Sequence, residues 1–180
     1  MSSHTRSQPI ALVGPMGSGK SSLAPVLAAE LGYDHVDTDE LFAHQHGPIP
    51  EFFRVHGEPG FRDAEAQVVA EALTGKQQTV ISLGGGAVLR DTTRDLLVVH
   101  CYVIYLQVST REALRRLDDG QGRPMLENNP AETWEQIATE RDPLYRSVAD
   151  QVVDTTADSP RQLAGKIARR YRRAEKTHDH

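Results

Sequence analysis

The chain has 180 residues, of which 38% are apolar and 25% charged, and its formal net charge is −5. This composition is typical of one globular domain, and no stretch approaches the roughly 20 apolar residues that cross a bilayer. An acidic balance disfavours nucleic-acid binding, and a polar start without the apolar core of a secretory signal favours the cytoplasm. We therefore expect a cytoplasmic protein without nucleic-acid or membrane partners. We also expect a monomer.

Apolar runs typical of strands alternate along the chain with segments that carry apolar residues at helical spacing. In chain order, the pattern predicts a strand at 9–13, a helix at 20–31, a strand at 35–36, a helix at 61–74, a strand at 79–83, a helix at 91–98, a strand at 101–108, helices at 109–117 and 131–147, a strand at 151–154 and a helix from 160. Such alternation predicts parallel strands with right-handed crossovers, hence a single three-layer α/β domain over residues 1–180 with polar ends at 1–8 and 174–180.

The stretch GPMGSGKSS, between the first strand and the first helix, fits the pattern G-x-x-x-x-G-K-[ST] through Gly14, Gly19, Lys20 and Ser21. Glycines there let backbone N–H groups converge on phosphate oxygens, the lysine reaches the β and γ phosphates, and the hydroxyl ligates Mg²⁺. The alternative is a glycine-rich turn that only connects strand to helix. The flanking elements favour a site for a nucleoside triphosphate or diphosphate with Mg²⁺.

Two carboxylates follow the second strand in the stretch VDTDELF, at Asp37 and Asp39. Residues i and i+2 of an extended segment project to the same side, so both carboxylates can face one pocket. One near the metal and one near an acceptor hydroxyl would suit phosphoryl transfer. Either could instead cap the helix that starts near Glu40.

A second glycine run, Gly84, Gly85 and Gly86, stands in VISLGGGAVLRD after the third strand. Glycines at a strand end can form another phosphate cradle or a tight turn. Because the first loop already supplies what phosphates need, we interpret the run as room for an acceptor.

Six motifs stand in the order seen in shikimate kinases, and the chain resembles that family from about Ile10 to Ala168. The motifs are the GxxxxGKS loop, the DTD pair, GFRDAE at 60–65, SLGGGAV at 82–88, GRPML at 122–126 and DPLYRSVAD at 142–150. The resemblance implies a P-loop kinase fold with about five parallel strands, an acceptor region at 37–65 and a mobile lid at 118–130. It also implies ATP-dependent, Mg²⁺-assisted phosphorylation of a ring hydroxyl of shikimate, on the route to chorismate and the aromatic amino acids.

The resemblance also implies roles on the nucleotide side. Lys20 resembles the phosphate-binding lysine, Ser21 and Asp37 resemble the residues that hold the metal, and Arg123 resembles a lid arginine that closes over the transferring group. The nucleotide-binding residues implied in this way are Gly14, Gly17, Ser18, Gly19, Lys20, Ser21, Ser22, Arg116, Arg123 and Pro160.

On the acceptor side, Asp39 resembles the residue that orients or deprotonates the attacking hydroxyl, and Gly84–Gly86 resemble the loop against the ring. Arg62 and Arg146 resemble a pair that grips the substrate carboxylate, for which a guanidinium fork is well suited. Without the family, the ordinary interpretation is a surface ion pair for Arg62 and a solvated helix position for Arg146.

The chain departs from the family pattern after the DTD strand, where Pro48 precedes Ile49 and one residue is missing. Pro50 suits a first helical turn, so a helix is expected to restart there. Two alternative functions stay open at this point. One is a kinase of another small hydroxy acid such as gluconate, and the other is a catalytically inactive nucleotide-binding protein on the same fold.

Overall fold

A five-stranded parallel sheet forms the centre of the computed structural model, which describes residues 8–118 and 128–177. The strands are β1 (Ile10–Val13), β2 (Asp34–Asp37), β3 (Thr79–Ser82), β4 (Tyr102–Gln107) and β5 (Gln151–Asp154). They are hydrogen-bonded in the order β2-β3-β1-β4-β5. The predicted parallel sheet of about five strands is thereby confirmed, and the strand positions agree with the sequence pattern to within one or two residues.

Helices cover both faces of the sheet. They are α1 (Lys20–Leu31), α2 (Thr38–His46), α3 (Ile49–Leu73), α4 (Asp91–His100), α5 (Thr110–Asp118), α6 (Pro130–Val148) and α7 (Pro160–Thr177), with a short 3-10 helix at Ala87–Leu89. One apolar cluster joins one face of the sheet to α1 and α7, and a second joins the other face to α3, α4 and α6. Both faces of the sheet are therefore shielded from water, which explains why β1 consists of apolar residues only.

The third helix differs from the expectation, because α3 begins at Ile49 rather than at residue 61. Pro50 occupies the first turn, as the proline pattern predicted. Gly57, at φ 69° and ψ 179°, then interrupts the helical path and kinks it. Positive φ is accessible to glycine without steric cost, so the kink needs this residue type.

Parallel pairing brings the three motif-bearing strand ends to one edge of the sheet. Leu12 of β1 and Asp37 of β2 are both in register with Ser82 of β3. The first glycine loop, the DTD segment and the second glycine run therefore leave the sheet at the same edge, where ligands of open α/β sheets bind.

Two further sequence predictions concern the lid and the absence of a membrane span. Arg123 and most of the predicted lid at 118–130 lie outside the described residues. Within 8–118 and 128–177, none of the helices combines the length and apolar character that a membrane span requires.

Candidate active site

The first glycine loop has a backbone that only glycines fit. Gly14, Gly17 and Gly19 adopt φ values of 148°, 79° and 93°. A Cβ on Gly14 would lie 2.5 Å from the Leu106 carbonyl oxygen, and one on Gly17 would lie 2.9 Å from that of Ala113. The loop is thus pressed against β4 and α5, and it leads directly into the N-terminus of α1, where a helix dipole favours phosphate.

Lys20, the first residue of α1, folds back over this loop. Its Nζ donates to the carbonyl oxygens of Gly14 at 2.6 Å and Pro15 at 2.9 Å. The ammonium group is therefore held at the mouth of the loop, in reach of any phosphate that the backbone N–H groups bind.

Asp37 makes two kinds of contact with its two carboxylate oxygens. Ser21 Oγ donates to Asp37 Oδ2 at 2.7 Å, while Oδ1 accepts from the backbone N–H groups of Asp39 and Glu40. The helix-cap alternative is therefore correct for Asp37, because these bonds begin α2. The same residue also brings a carboxylate beside a hydroxyl, the oxygen ligands that Mg²⁺ prefers, so the pair fits a magnesium site.

Charged side chains, rather than open space, lie against the second glycine run. A Cβ on Gly84 would lie 2.8 Å from Asp39 Oδ1 and 3.1 Å from Glu65 Oε2, and one on Gly86 would overlap the Arg62 guanidinium. Only Gly85 has room, with its nearest atoms at 3.5 Å or more. Our interpretation that all three glycines make room for a ring is therefore revised, since two of them let charges reach the backbone.

Arg62 and Glu65, both on α3, form a largely buried ion pair against the second glycine run. Arg62 Nη1 donates to Glu65 Oε1 at 2.8 Å. Burial raises the pKa of the Glu65 carboxyl, and the Arg62 charge opposes that shift. Arg62 Nε is buried and has no hydrogen-bond partner among the described residues, since the Glu58 carboxylate stands 3.8 Å away. An unpaired buried guanidinium N–H is a donor to which an anionic ligand could bind.

The prediction that Arg146 shares a carboxylate with Arg62 disagrees with the geometry. The Arg146 side chain is 53% exposed, bonds to Asp142 at 2.7 Å and covers the Tyr105 ring. Arg141, on the same helix, is only 9% exposed. Its Nη1 would lie 3.7 Å from a Cβ on Gly85, next to the glycine that Arg62 covers. Five positions on a helix are about 140° apart, so only one of these arginines can face the loop.

A cavity of about 370 Å³ joins the two glycine loops. Its lining includes Lys20 and Ser21 from the start of α1 and Asp39, Gly84 and Gly85 from the acceptor side. Arg116 and Leu117 close it on the side of α5. A phosphate held by the first loop and an acceptor against the second would therefore meet in one space.

A neighbouring cavity of about 380 Å³ extends from the first loop to Pro160. Arg116 lines this cavity. Its Nη1 donates to the Gly17 carbonyl oxygen and its Nη2 to the Thr155 carbonyl oxygen. Ser22 lines both cavities. The structure thus brings Arg116 and Pro160 together beside the phosphate loop, where the base of a nucleotide would lie.

Sequence reasoning missed several residues of this site. Thr38 is buried and its Oγ1 accepts from the Gly84 N–H at 3.2 Å, while Tyr145 donates to the Gly85 carbonyl oxygen at 2.6 Å. Thr38 lies in the DTD segment and Glu65 in the GFRDAE motif, but the resemblance assigns roles there only to Asp37, Asp39 and Arg62. Arg141 directly precedes the DPLYRSVAD motif and carries no local signal of burial.

Comparison with known proteins agrees with this geometry. A family model described as shikimate kinase matches residues 16–172. A shikimate kinase of Methylococcus capsulatus is 40% identical over 167 residues, which cover 92% of this chain and 93% of the relative. A shikimate kinase from Acinetobacter baumannii in complex with shikimate has TM-score 0.84 at 36% identity, covering 89% of this chain and 90% of the other.

A gluconokinase from Sinorhizobium meliloti 1021 superposes with TM-score 0.67 over 96% of this chain and 95% of its own. At 19% identity, that likeness shows a shared fold alone. The family model covers most of the described residues and includes the first glycine loop from Met16 onward, the DTD segment, the second glycine run and α6. The chain belongs to the shikimate kinase family.

Proposed function

We propose that this chain transfers the γ-phosphoryl group of ATP to a ring hydroxyl of shikimate, giving shikimate 3-phosphate and ADP. The observation that carries the proposal is the cavity in which the phosphate loop faces Asp39 and the second glycine loop. Family membership supports the choice of acceptor, and the shikimate bound by the Acinetobacter baumannii relative is in keeping with it.

On the donor side, backbone N–H groups of the first glycine loop and the Lys20 ammonium bind the β and γ phosphates. Ser21 and Asp37 would hold Mg²⁺, which would neutralise charge on the phosphate oxygens. Arg116 and Pro160 line the space for the adenine. The family resemblance assigns to Arg123, which lies outside the described residues, the positive charge that stabilises the transferring group.

On the acceptor side, Arg62 and Arg141 bind the carboxylate of shikimate. Their guanidinium groups border neighbouring glycines of one loop, and Arg62 Nε has no hydrogen-bond partner within the described residues. We therefore replace Arg146 by Arg141 in the proposed clamp. Two planar forks on separate helices fix the position of a carboxylate better than point charges would.

Asp39 orients the attacking hydroxyl and accepts its proton. The hydroxyl oxygen forms a bond to the γ phosphorus as the bond to the β–γ bridging oxygen breaks in line with it, and the proton leaves through Asp39 to solvent. Thr38 supports this arrangement, because its bond to the Gly84 N–H holds the DTD segment against the second loop. Positioning accounts for most of the catalysis in such transfers.

A coupled assay of ADP release tests the proposal, with shikimate, gluconate and no acceptor compared at equal concentration. We expect shikimate to stimulate ADP release well above the rate without acceptor, and gluconate to leave it near that rate. Asp39→Asn should remove most of the stimulated rate while ADP binding is kept. No stimulation by millimolar shikimate would refute the proposal, and a response to gluconate alone would indicate a different acceptor.

A monomeric state and a cytoplasmic location are further predictions from the sequence. Size-exclusion chromatography with light scattering checks the first, and fractionation of the source cells checks the second. A stable dimer at micromolar concentration would contradict the monomer.

A further inference from the structure

Helix α6 (Pro130–Val148) carries three large side chains that are buried although each of them has a polar group. Trp134 is 5% exposed, Arg141 9% and Tyr145 1%. They lie about two turns and then one turn apart along the helix, so they share one face. That face looks toward the two glycine loops, whereas Arg146 lies on another face in solvent.

One end of this face contacts the phosphate loop. Trp134 Nε1 donates to the Met16 carbonyl oxygen at 2.9 Å, a contact between residues far apart in the sequence. The indole also packs with Ala113 of α5, the residue against which Gly17 is pressed. Trp134 thus fixes the middle of the loop that is proposed to hold the phosphates.

The other end contacts the acceptor loop. Tyr145 donates its hydroxyl hydrogen to the Gly85 carbonyl oxygen at 2.6 Å, and its ring packs on Tyr105 with centroids 5.0 Å apart. Burial raises the pKa of Tyr145 to about 12, while the charge and hydrogen bond of Arg141 oppose that shift. Arg141 therefore lies near the hydroxyl that holds the Gly85 carbonyl group.

We infer that Tyr145 and Trp134 are positioning residues through which α6 holds the acceptor loop and the phosphate loop in a fixed arrangement against each other. The inference rests on the proposed function. The two loops lie side by side, because a Cβ on Gly85 would stand 3.5 Å from the Gly14 carbonyl oxygen and 3.6 Å from the Met16 backbone nitrogen. The hydrogen bonds from Tyr145 and Trp134 fix the carbonyl groups on the two sides of that contact. In-line transfer needs that placement, since a misplacement of about 1 Å can cost roughly a hundredfold in rate.

The two residues should have opposite kinetic signatures. Tyr145→Phe removes one hydroxyl and should raise the KM for shikimate about tenfold, with the KM for ATP within about twofold of wild type. Trp134→Phe removes the indole N–H and should raise the KM for ATP by a similar factor, with the KM for shikimate unchanged. A purely structural role would lower the amount of active enzyme and leave both KM values alone.

Tyr105→Phe is the matched control. It removes the hydroxyl of the other ring in the same aromatic pair, but that hydroxyl donates to Asp142 and touches neither loop. We expect both of its KM values to stay within about twofold of wild type. Equal rises in both KM values for Tyr145→Phe and Tyr105→Phe would overturn the inference.

A binding measurement separates this inference from the proposed function. Trp134 is the single tryptophan of the chain, so its emission reports on the Met16 contact. Addition of ADP to the wild-type protein should change that emission, and Tyr145→Phe should keep the change. An unchanged emission would overturn the donor half of the inference even in an active enzyme. Absence of shikimate-dependent ADP release alongside a changed emission would count only against the proposed function.

Discussion

Charged side chains packed directly on backbone are the main feature of the acceptor loop. Asp39 and Glu65 border Gly84, and Arg62 covers Gly86. Burial raises the pKa of the Glu65 carboxyl, while the charge of the neighbouring Arg62 opposes that rise. These side chains leave little free space beside the loop, so small changes in its shape should affect binding strongly.

The two arginines of α6 provide the first prediction. Arg141→Ala should raise the KM for shikimate by about 30-fold or more, because truncating a buried charged contact costs about 2–5 kcal/mol. Arg146→Ala should change it by less than about fivefold, since an exposed ion pair contributes under about 1 kcal/mol. Steady-state kinetics on both variants measures the difference. A larger effect from Arg146→Ala would restore the original assignment of the clamp.

Gly86→Ala is the second prediction. The new methyl group would overlap the Arg62 guanidinium, so Arg62 must move and the acceptor should bind at least tenfold more weakly, about 1.4 kcal/mol. Nucleotide affinity should change little. Gly165→Ala, in the middle of α7 with its nearest atom at 3.6 Å, is the control. Calorimetric titration with shikimate and with ADP gives both affinities, and loss of ADP binding alone would contradict the expectation.

The start of α2 combines a structural and a chemical function in one residue. Asp37 caps the helix through one oxygen and contacts Ser21 through the other. Because the cap orients the first turn, it also sets where Asp39 stands. By contrast, α3 is long and kinked at Gly57, and its first half carries Phe52, which packs on Phe42 of α2.

Substitutions at Asp37 separate the two functions in a third prediction. Asparagine caps helices as well as aspartate does, so Asp37→Asn should keep the melting temperature while shifting the Mg²⁺ dependence of activity to higher concentration. Asp37→Ala should show that shift and also lose about 1 kcal/mol of stability. Thermal unfolding and Mg²⁺ titration of activity test both. Equal destabilisation by the two substitutions would argue against the cap.

The parallel sheet organises the whole chain, since its carboxyl edge collects the motifs and its two faces bury the core. Burial in that core raises the pKa of several ionisable groups. Burial raises the pKa of the Cys101 thiol from its ordinary 9.0 to about 12, with the nearby Asp150 charge adding to the shift. Burial also raises the pKa of Tyr145 to about 12, although the Arg141 charge opposes that shift.

These buried groups predict an alkaline loss of stability. A pKa raised on folding contributes stability that is present below the unfolded value and is lost as pH rises toward the folded value. The free energy of unfolding should therefore fall between about pH 9 and pH 12, by up to about 1.4 kcal/mol per pH unit for each group. Urea unfolding of wild type and Cys101→Ala across this range measures it. Parallel curves for the two proteins would contradict the assignment to Cys101.

Much of this protein could be predicted from local patterns, for a physical reason. The three central strands, β1, β3 and β4, were predictable because each is a short run whose residues are all buried or half-buried. The phosphate loop was predictable because a contiguous stretch carries its strand, its glycines and its helix start. The continuity of α3 was not, because the segment that begins at Pro50 and the helix at 61–74 are joined across the kink at Gly57.

Contacts between distant segments decided the rest. No local pattern distinguishes Arg141 from Arg146, because the difference is the rotation of α6 about its axis against the sheet. Likewise, Gly84 and Gly86 leave room for the charged side chains that α2 and α3 bring to them. The glycine run alone does not predict which side chains approach it. Local propensity determines an element, whereas the partner of a buried charge is determined only when the elements pack.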